Sequence, residues 1–318
     1  MPSSRQPNST PWTHVRIPAP ATAEDAIAAL CLELGAPGVQ TGARDLRRSD
    51  APKRPSPRIR VEAWFPPEIQ RQKLEPALRN GLARIRSAFP GLNPRSLRIA
   101  DFAVGDYGAS WRENFPPLQV GRKFRISPSW HELPASTRHT IQIDPGQAFG
   151  TGHHSTTRGC LLALEEEFAR AEIRTGLDVG TGSGVLAIAM RKLGAERVVA
   201  IDNDPLALIA TAEAVETNHC APLRTGSNLG AARGQFDLVI ANLYSRLLVR
   251  MAGSLANRVK PGGSLIVSGL LEKQEKEVLQ AMRRAGLRVR ERRALATWVT
   301  LTLRRPKPRS TGTGGTRR

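Results

Sequence analysis

Two tyrosines, four methionines and three cysteines are spread over 318 residues, and aromatic side chains make up only 5% of the chain. Cys31, Cys160 and Cys220 are odd in number and far apart, which excludes a disulfide frame and suits reduced thiols in a cytoplasmic protein. No run approaches the roughly eighteen apolar residues of a membrane-spanning helix, so no membrane partner is expected. Met1–Pro20 lacks the continuous apolar core of a secretory signal. No metal is expected either: adjacent imidazoles such as His153 and His154 rarely chelate one ion, and no cysteine or acid cluster accompanies them. Acids are scarce, 28 against 47 Lys and Arg, for a net charge of +19. That balance points to acidic partners, RNA or a ribonucleoprotein first, with a merely basic tail as the plain alternative.

What is present centres on Gly176-Leu-Asp-Val-Gly-Thr-Gly-Ser-Gly184. It reads as a buried strand, a tight glycine turn and a helix starting at Ser183. Gly180, Gly182 and Gly184 let the backbone turn sharply and leave no side chain between it and a ligand. Asp178 stands at the carboxyl edge of the sheet, where open α/β sheets bind ligands. A second strand, Arg197–Ile201, ends at Asp202, about twenty residues past the turn and placed to accept from ribose hydroxyls. A dinucleotide site wants G-x-G-x-x-G, but its third glycine is Val185 here. The G-x-G-x-G spacing behind an aspartate resembles the first motif of the Rossmann-like methyltransferases, which bind S-adenosylmethionine.

The chain is long enough for two domains. A polar tail, 1–11, precedes a strand from Trp12, a helix to about Leu34 stopped by Gly35, and a short strand at Gly38. After a loop rich in Arg, Pro and Ser, Thr41–Pro57, come the alternating strand Arg58–Phe65, a helix from Pro66-Pro67 and a strand at Leu97–Val104. Strand-helix-strand-strand-helix-strand is the ferredoxin-like order, so 12–104 is expected to be a small α+β binding domain. Residues 105–130 form a linker, and paired strands lead into a second domain, 131–303. There strands begin near Leu177, Val198, Phe236 and Ser264, with helices between them and a final strand pair, for a seven-stranded mixed sheet. Residues 304–318 are a basic tail without core-forming residues.

The run Asp144-Pro-Gly146, Ala148-Phe-Gly-Thr-Gly-His153, Thr156-Thr157 resembles the signature of the ribosomal protein L11 methyltransferases, the PrmA family. Trp111–Phe115, Pro128–Trp130 and Phe236–Leu243 resemble its other blocks, and the likeness covers 109–303 well. It implies methylation of lysine side chains and the α-amino group of ribosomal protein L11, free or on the ribosome. It also implies substrate recognition by the amino-terminal domain. The family's cofactor contacts fall on Thr157, Gly180, Asp202 and Asn242. Asp178, Gly182 and Phe149 are further expected cofactor neighbours. Ser155 departs from the family pattern, and the 41–57 loop and the tail are additions.

The chemistry needs a neutral amine on the axis of an electrophilic methyl. Only about one lysine in two thousand is neutral at pH 7. No paired carboxylates or His–Asp arrangement offers a general base, so positioning and desolvation are expected to dominate. Asn242 is the expected positioning residue, accepting from the amine or orienting the cofactor; a helix N-cap before Tyr244 is the bland alternative. Asn242-Leu243-Tyr244 lacks the prolines of the Asn-Pro-Pro-Tyr found in enzymes that act on planar nitrogens, which favours an aliphatic amine. Three other readings stay open: the same fold acting on another protein lysine, an RNA methyltransferase, and a basic RNA-associated protein without turnover. The basic tail is a further possible contact with rRNA.

Overall fold

The computed structural model describes residues 12–36, 39–42, 58–102, 117–144, 154–295 and 297–307. The chain divides into two compact units, Met1–Phe115 and Pro116–Arg318.

In the first unit, β1 (Trp12–Pro20), α1 (Glu24–Glu33), β2 (Val39–Gly42), β3 (Arg58–Phe65), α2 (Arg71–Ile85) and β4 (Arg98–Phe102) follow one another. The strands form an antiparallel sheet in the order β2-β3-β1-β4, which is the ferredoxin-like arrangement. Val15, Ile17 and Ala19 alternate along β1 and meet Ile27 of α1 and Leu74, Leu78 and Leu82 of α2 in one core. The second helix starts at Arg71, not at Pro66-Pro67. A turn comes first, with the Ile69 N–H donating to the Pro66 carbonyl.

The second unit opens with a three-stranded sheet of β5 (Leu118–Val120), β6 (Phe124–Ser127) and β7 (His139–Gln142). Then come α3 (Ser155–Arg170), β8 (Thr175–Val179), α4 (Val185–Lys192), β9 (Arg197–Ile201), α5 (Pro205–Thr217) and β10 (Arg224–Gly226). The chain continues through β11 (Phe236–Asn242), α6 (Ser245–Arg258), β12 (Val259–Leu271), α7 (Glu275–Arg284), β13 (Arg288–Leu295) and β14 (Trp298–Arg304). The sheet order is β10-β9-β8-β11-β12-β14-β13, with β14 antiparallel to both its neighbours. The apolar runs Val198–Ile201 of β9 and Leu238–Ala241 of β11 are unbroken and buried, as expected of parallel strands with helices on both faces. One face packs on α3, α4 and α5, the other on α6 and α7.

Two further boundaries differ from the sequence reading, and one strand was not read from it. The helix after the glycine turn begins at Val185, since Gly184, at φ +79°, is still in the left-handed region. β12 starts at Val259 instead of Ser264, pairing with Phe236. β10, a short edge strand, has no apolar pattern to announce it.

Cys31 and Cys160 are buried and Cys220 is partly exposed, all three as free thiols. Burial pushes the Cys31 thiol up to about 12 and raises Cys160 as well. Among the described residues no helix is long and apolar enough to cross a membrane, and no group of His, Cys, Asp and Glu is arranged to hold a metal ion.

Candidate active site

Parallel pairing sets three strand tips side by side. Val179 of β8 lies opposite Ile201 of β9 on one side and Ala241 of β11 on the other. The next residues, Gly180, Asp202 and Asn242, therefore form a row at the carboxyl edge, at strand spacings of about 4.8 Å.

The glycine turn is built by backbone bonds. The N–H groups of Gly180 and Thr181 both donate to the Ile201 carbonyl, at 2.8 and 3.0 Å, tying the turn to β9. Gly180 and Gly182 have φ of +75° and +54°, a region that favours glycine. A Cβ on Gly180 would lie 2.4 Å from Leu243 Cδ2. The Thr211 hydroxyl of α5 donates to the Gly182 carbonyl at 3.0 Å and fixes the turn from outside.

Asp202 is held by both oxygens: the Gly182 N–H donates to Oδ2 and the Asp204 N–H to Oδ1, each at 3.0 Å. A carboxylate has about four acceptor sites, so each oxygen keeps capacity for a ligand hydroxyl. Asp178 is wholly buried, and its Oδ2 accepts from the Thr181 hydroxyl at 2.8 Å while Oδ1 has no hydrogen-bond partner among the described residues. Burial pushes its carboxyl up to about 7; the Thr181 hydroxyl and the Ala187 amide pull it down, and the Asp202 charge adds to the rise.

Asn242 ends β11, and its Nδ2 donates to Thr156 Oγ1 at 3.2 Å. Thr156 Oγ1 lies 2.8 Å from His154 Nδ1, which also accepts from the Thr156 N–H at 3.3 Å and so caps α3. Burial lowers His154 to about 4, which keeps the ring neutral and Nδ1 an acceptor. The Thr156 hydroxyl then donates to the ring and accepts from Asn242. With its nitrogen committed, Asn242 keeps Oδ1 as the open acceptor. The N-cap of α6 is Tyr244, so Asn242 is not serving as that cap. Thr157, one residue on, is buried, and its Oγ1 has no hydrogen-bond partner among the described residues.

Bonding thus joins Gly182 to Asp202, and Asn242 to Thr156 and His154. Asp178 bonds to Thr181 within the turn. Phe149 lies outside the described residues. Sequence reasoning did not find Thr156, His154 or Thr211 as supports, because these contacts span up to 86 residues and follow no spacing rule.

The residues fit a nucleoside-bearing amino acid. Left-handed glycines leave the turn open, an acid with spare acceptor sites stands at the next strand tip, and two buried polar atoms, Thr157 Oγ1 and Asp178 Oδ1, await partners.

Comparison with known proteins agrees. The family model for ribosomal protein L11 methyltransferase (PrmA) matches residues 11–306. The ribosomal protein L11 methyltransferase of Geobacter metallireducens is 35% identical over 292 residues, covering 91% of this chain and 97% of the relative. That of Pelobacter propionicus is 36% identical over 305 residues, covering 93% and 98%. The crystal structure of a ribosomal protein L11 methylase from Lactobacillus delbrueckii subsp. bulgaricus superposes with a TM-score of 0.57 at 30% identity, over 60% of this chain and 100% of that one. A match spanning both compact units, with relatives aligned over nearly their whole length, means that this chain belongs to the ribosomal protein L11 methyltransferase (PrmA) family.

Proposed function

We propose that this protein transfers methyl groups from S-adenosylmethionine to ribosomal protein L11, at lysine side chains and the chain-terminal amine. The observation that carries the reading is the row of strand tips formed by the glycine turn, Asp202 and Asn242. Family membership supports the substrate.

Asp202 accepts from the ribose hydroxyls through the acceptor sites its backbone bonds leave over. Thr157 and Asp178 supply the hydroxyl and carboxylate for the methionine part, and Gly180 and Gly182 keep the approach clear. Phe149 adds an apolar contact to the same ligand. When bound, S-adenosylmethionine supplies an electrophilic methyl whose departure leaves a neutral thioether.

Asn242 positions the incoming amine. Its Nδ2 is tied to Thr156, so Oδ1 accepts from the amine N–H and holds the nitrogen lone pair on line. Lysine must lose a proton first, from a free pKa near 10.4. His154, held near 4 by burial, is too weak a base to take it. Desolvation of the ammonium in the site lowers its pKa, and the proton leaves to water.

The amino-terminal unit recognises L11, free or on the ribosome, in the cytoplasm, and the tail at 304–318 meets rRNA phosphates. The test is incubation with methyl-labelled cofactor and free L11, ribosomes or rRNA. Label is expected in L11 on its amines. Label confined to RNA, or to another protein, overturns the substrate; no label at all favours a binding protein without turnover.

A further inference from the structure

Helices α6 and α7 lie side by side on the sheet face opposite α3 and α4. α6 turns Leu248, Ala252 and Leu255 inward, and α7 turns Val278 and Met282 inward. The helical period then sends Arg246 and Arg250 outward from α6, and Lys276, Gln280, Arg283 and Arg284 outward from α7; all six are exposed. The four on α7 line a concavity of about 470 Å³. Glu272 and Glu275 are taken up by Arg292, so Glu277 is the remaining acid of α7. None of the five cations forms an ion pair among the described residues.

Arg283 and Arg284 suit the helix dipole in the last turn of α7, but helix stability gives no reason for Arg246, Arg250 and Lys276. Arg246 and Lys276 stand in first turns, where the helix dipole disfavours a cation, and α6 has no acid there. Arg246 and Arg250 are like charges one turn apart, which also weakens a helix. An anion lying across the start of both helices offsets the costs at Arg246, Arg250 and Lys276. α6 and α7 follow the parallel strands β11 and β12, so both first turns stand at the edge that carries the active site. The basic strip starts there and runs down the face.

We propose that this strip binds an RNA phosphate backbone. Five of its six outward side chains are cationic: Arg246 and Arg250 on α6, Lys276 at the start of α7, and Arg283 and Arg284 in its last turn, the four guanidinium groups being suited to paired phosphate oxygens. No apolar side chain stands among them, whereas a membrane-surface helix needs one face to bury in lipid. The inference rests on charge and helix geometry and is independent of the catalytic reading.

The test is fluorescence anisotropy of a fluorescein-labelled RNA stem-loop over a KCl series. The wild-type chain is compared with the triple variant Arg250→Gln, Lys276→Gln, Arg283→Gln. A control variant, Arg122→Gln, Lys123→Gln, Arg224→Gln, removes the same charge from exposed positions elsewhere in the unit. A chain ending at Lys307 removes most of the tail. Melting curves check folding, and the pair Arg250→Gln, Arg283→Gln replaces the triple variant if that one does not fold. The strip variant is expected to bind about tenfold or more weakly, with the salt slope shallower by about 0.9 for each lost phosphate contact. The control variant should bind as wild type. Equal loss in the control overturns the proposal in favour of diffuse charge. Loss on truncation alone assigns the RNA to the tail and overturns it too. Binding to phosphatidylserine vesicles that depends on the strip, with RNA binding unchanged, overturns it in favour of a membrane surface.

Discussion

Thr156 does for Asn242 what no neighbour in sequence does: it ties down the amide nitrogen and leaves Oδ1 as the end that the proposed mechanism turns to the amine. Thr156→Val keeps the shape and deletes the anchor. Turnover on L11 should fall by about one to two orders of magnitude, the rate effect of a 1.4–2.7 kcal/mol loss in positioning. Cofactor affinity by calorimetry should stay near wild type, and Thr156→Ser should restore the rate. A fall in cofactor affinity as large as the fall in rate would count against an amide-positioning role. Asp178 sets a pH dependence of the opposite sign to that of a salt-bridged acid. Its carboxyl titrates near 7 in the fold and near 3.8 when unfolded. The folded state therefore holds the extra proton between those values, and stability declines as pH rises from about 4 to about 7, then levels. At about 1.4 kcal/mol per pH unit, the decline is bounded by about 4 kcal/mol. Melting of the ligand-free protein across that window should show it, and Asp178→Asn should flatten it.

At the scale of elements, the turn between β8 and α4 is pinned by both sides. Gly180→Ala forces a side chain into the left-handed region, at about 1–2 kcal/mol, and drives Leu243 from its place, at about 1–3 kcal/mol more. Denaturant titration should show the loss, and cofactor binding should weaken with it. This turn was legible because a glycine triplet behind an acid, with Asp202 at the next strand tip, follows a chain spacing that geometry demands. The apolar runs of β9 and β11 were legible for the same kind of reason. β10 was not: Arg224-Thr-Gly226 is an exposed edge with nothing periodic to read. Pro261-Gly-Gly263 lies inside the long β12, and a side chain on Gly263 would meet the Asp237 and Lys260 carbonyls. Pro66-Pro67 signalled a helix start, but Glu68, Ile69 and Gln70 follow before α2 begins at Arg71. The link from Asn242 to Thr156 was hidden because only the folded sheet brings β11 to the start of α3.

Over the whole molecule, two separate cores imply two separable tasks. Residues 116–318 produced alone should bind S-adenosylmethionine within about threefold of the full chain, a difference below about 0.7 kcal/mol. Methylation of L11 should be lost with the first unit, because recognition is assigned there. Measuring both on one preparation separates the tasks; equal methylation by the shorter chain would move recognition into the second unit. The sulfur atoms add a practical consequence. Cys31 and Cys160 are shut inside their cores, while Cys220 stands just beyond α5, at the amino edge of the sheet and away from the strand tips. A maleimide dye should therefore attach once to the native protein and three times after denaturation. The single label sits where it reports on the protein without obstructing it.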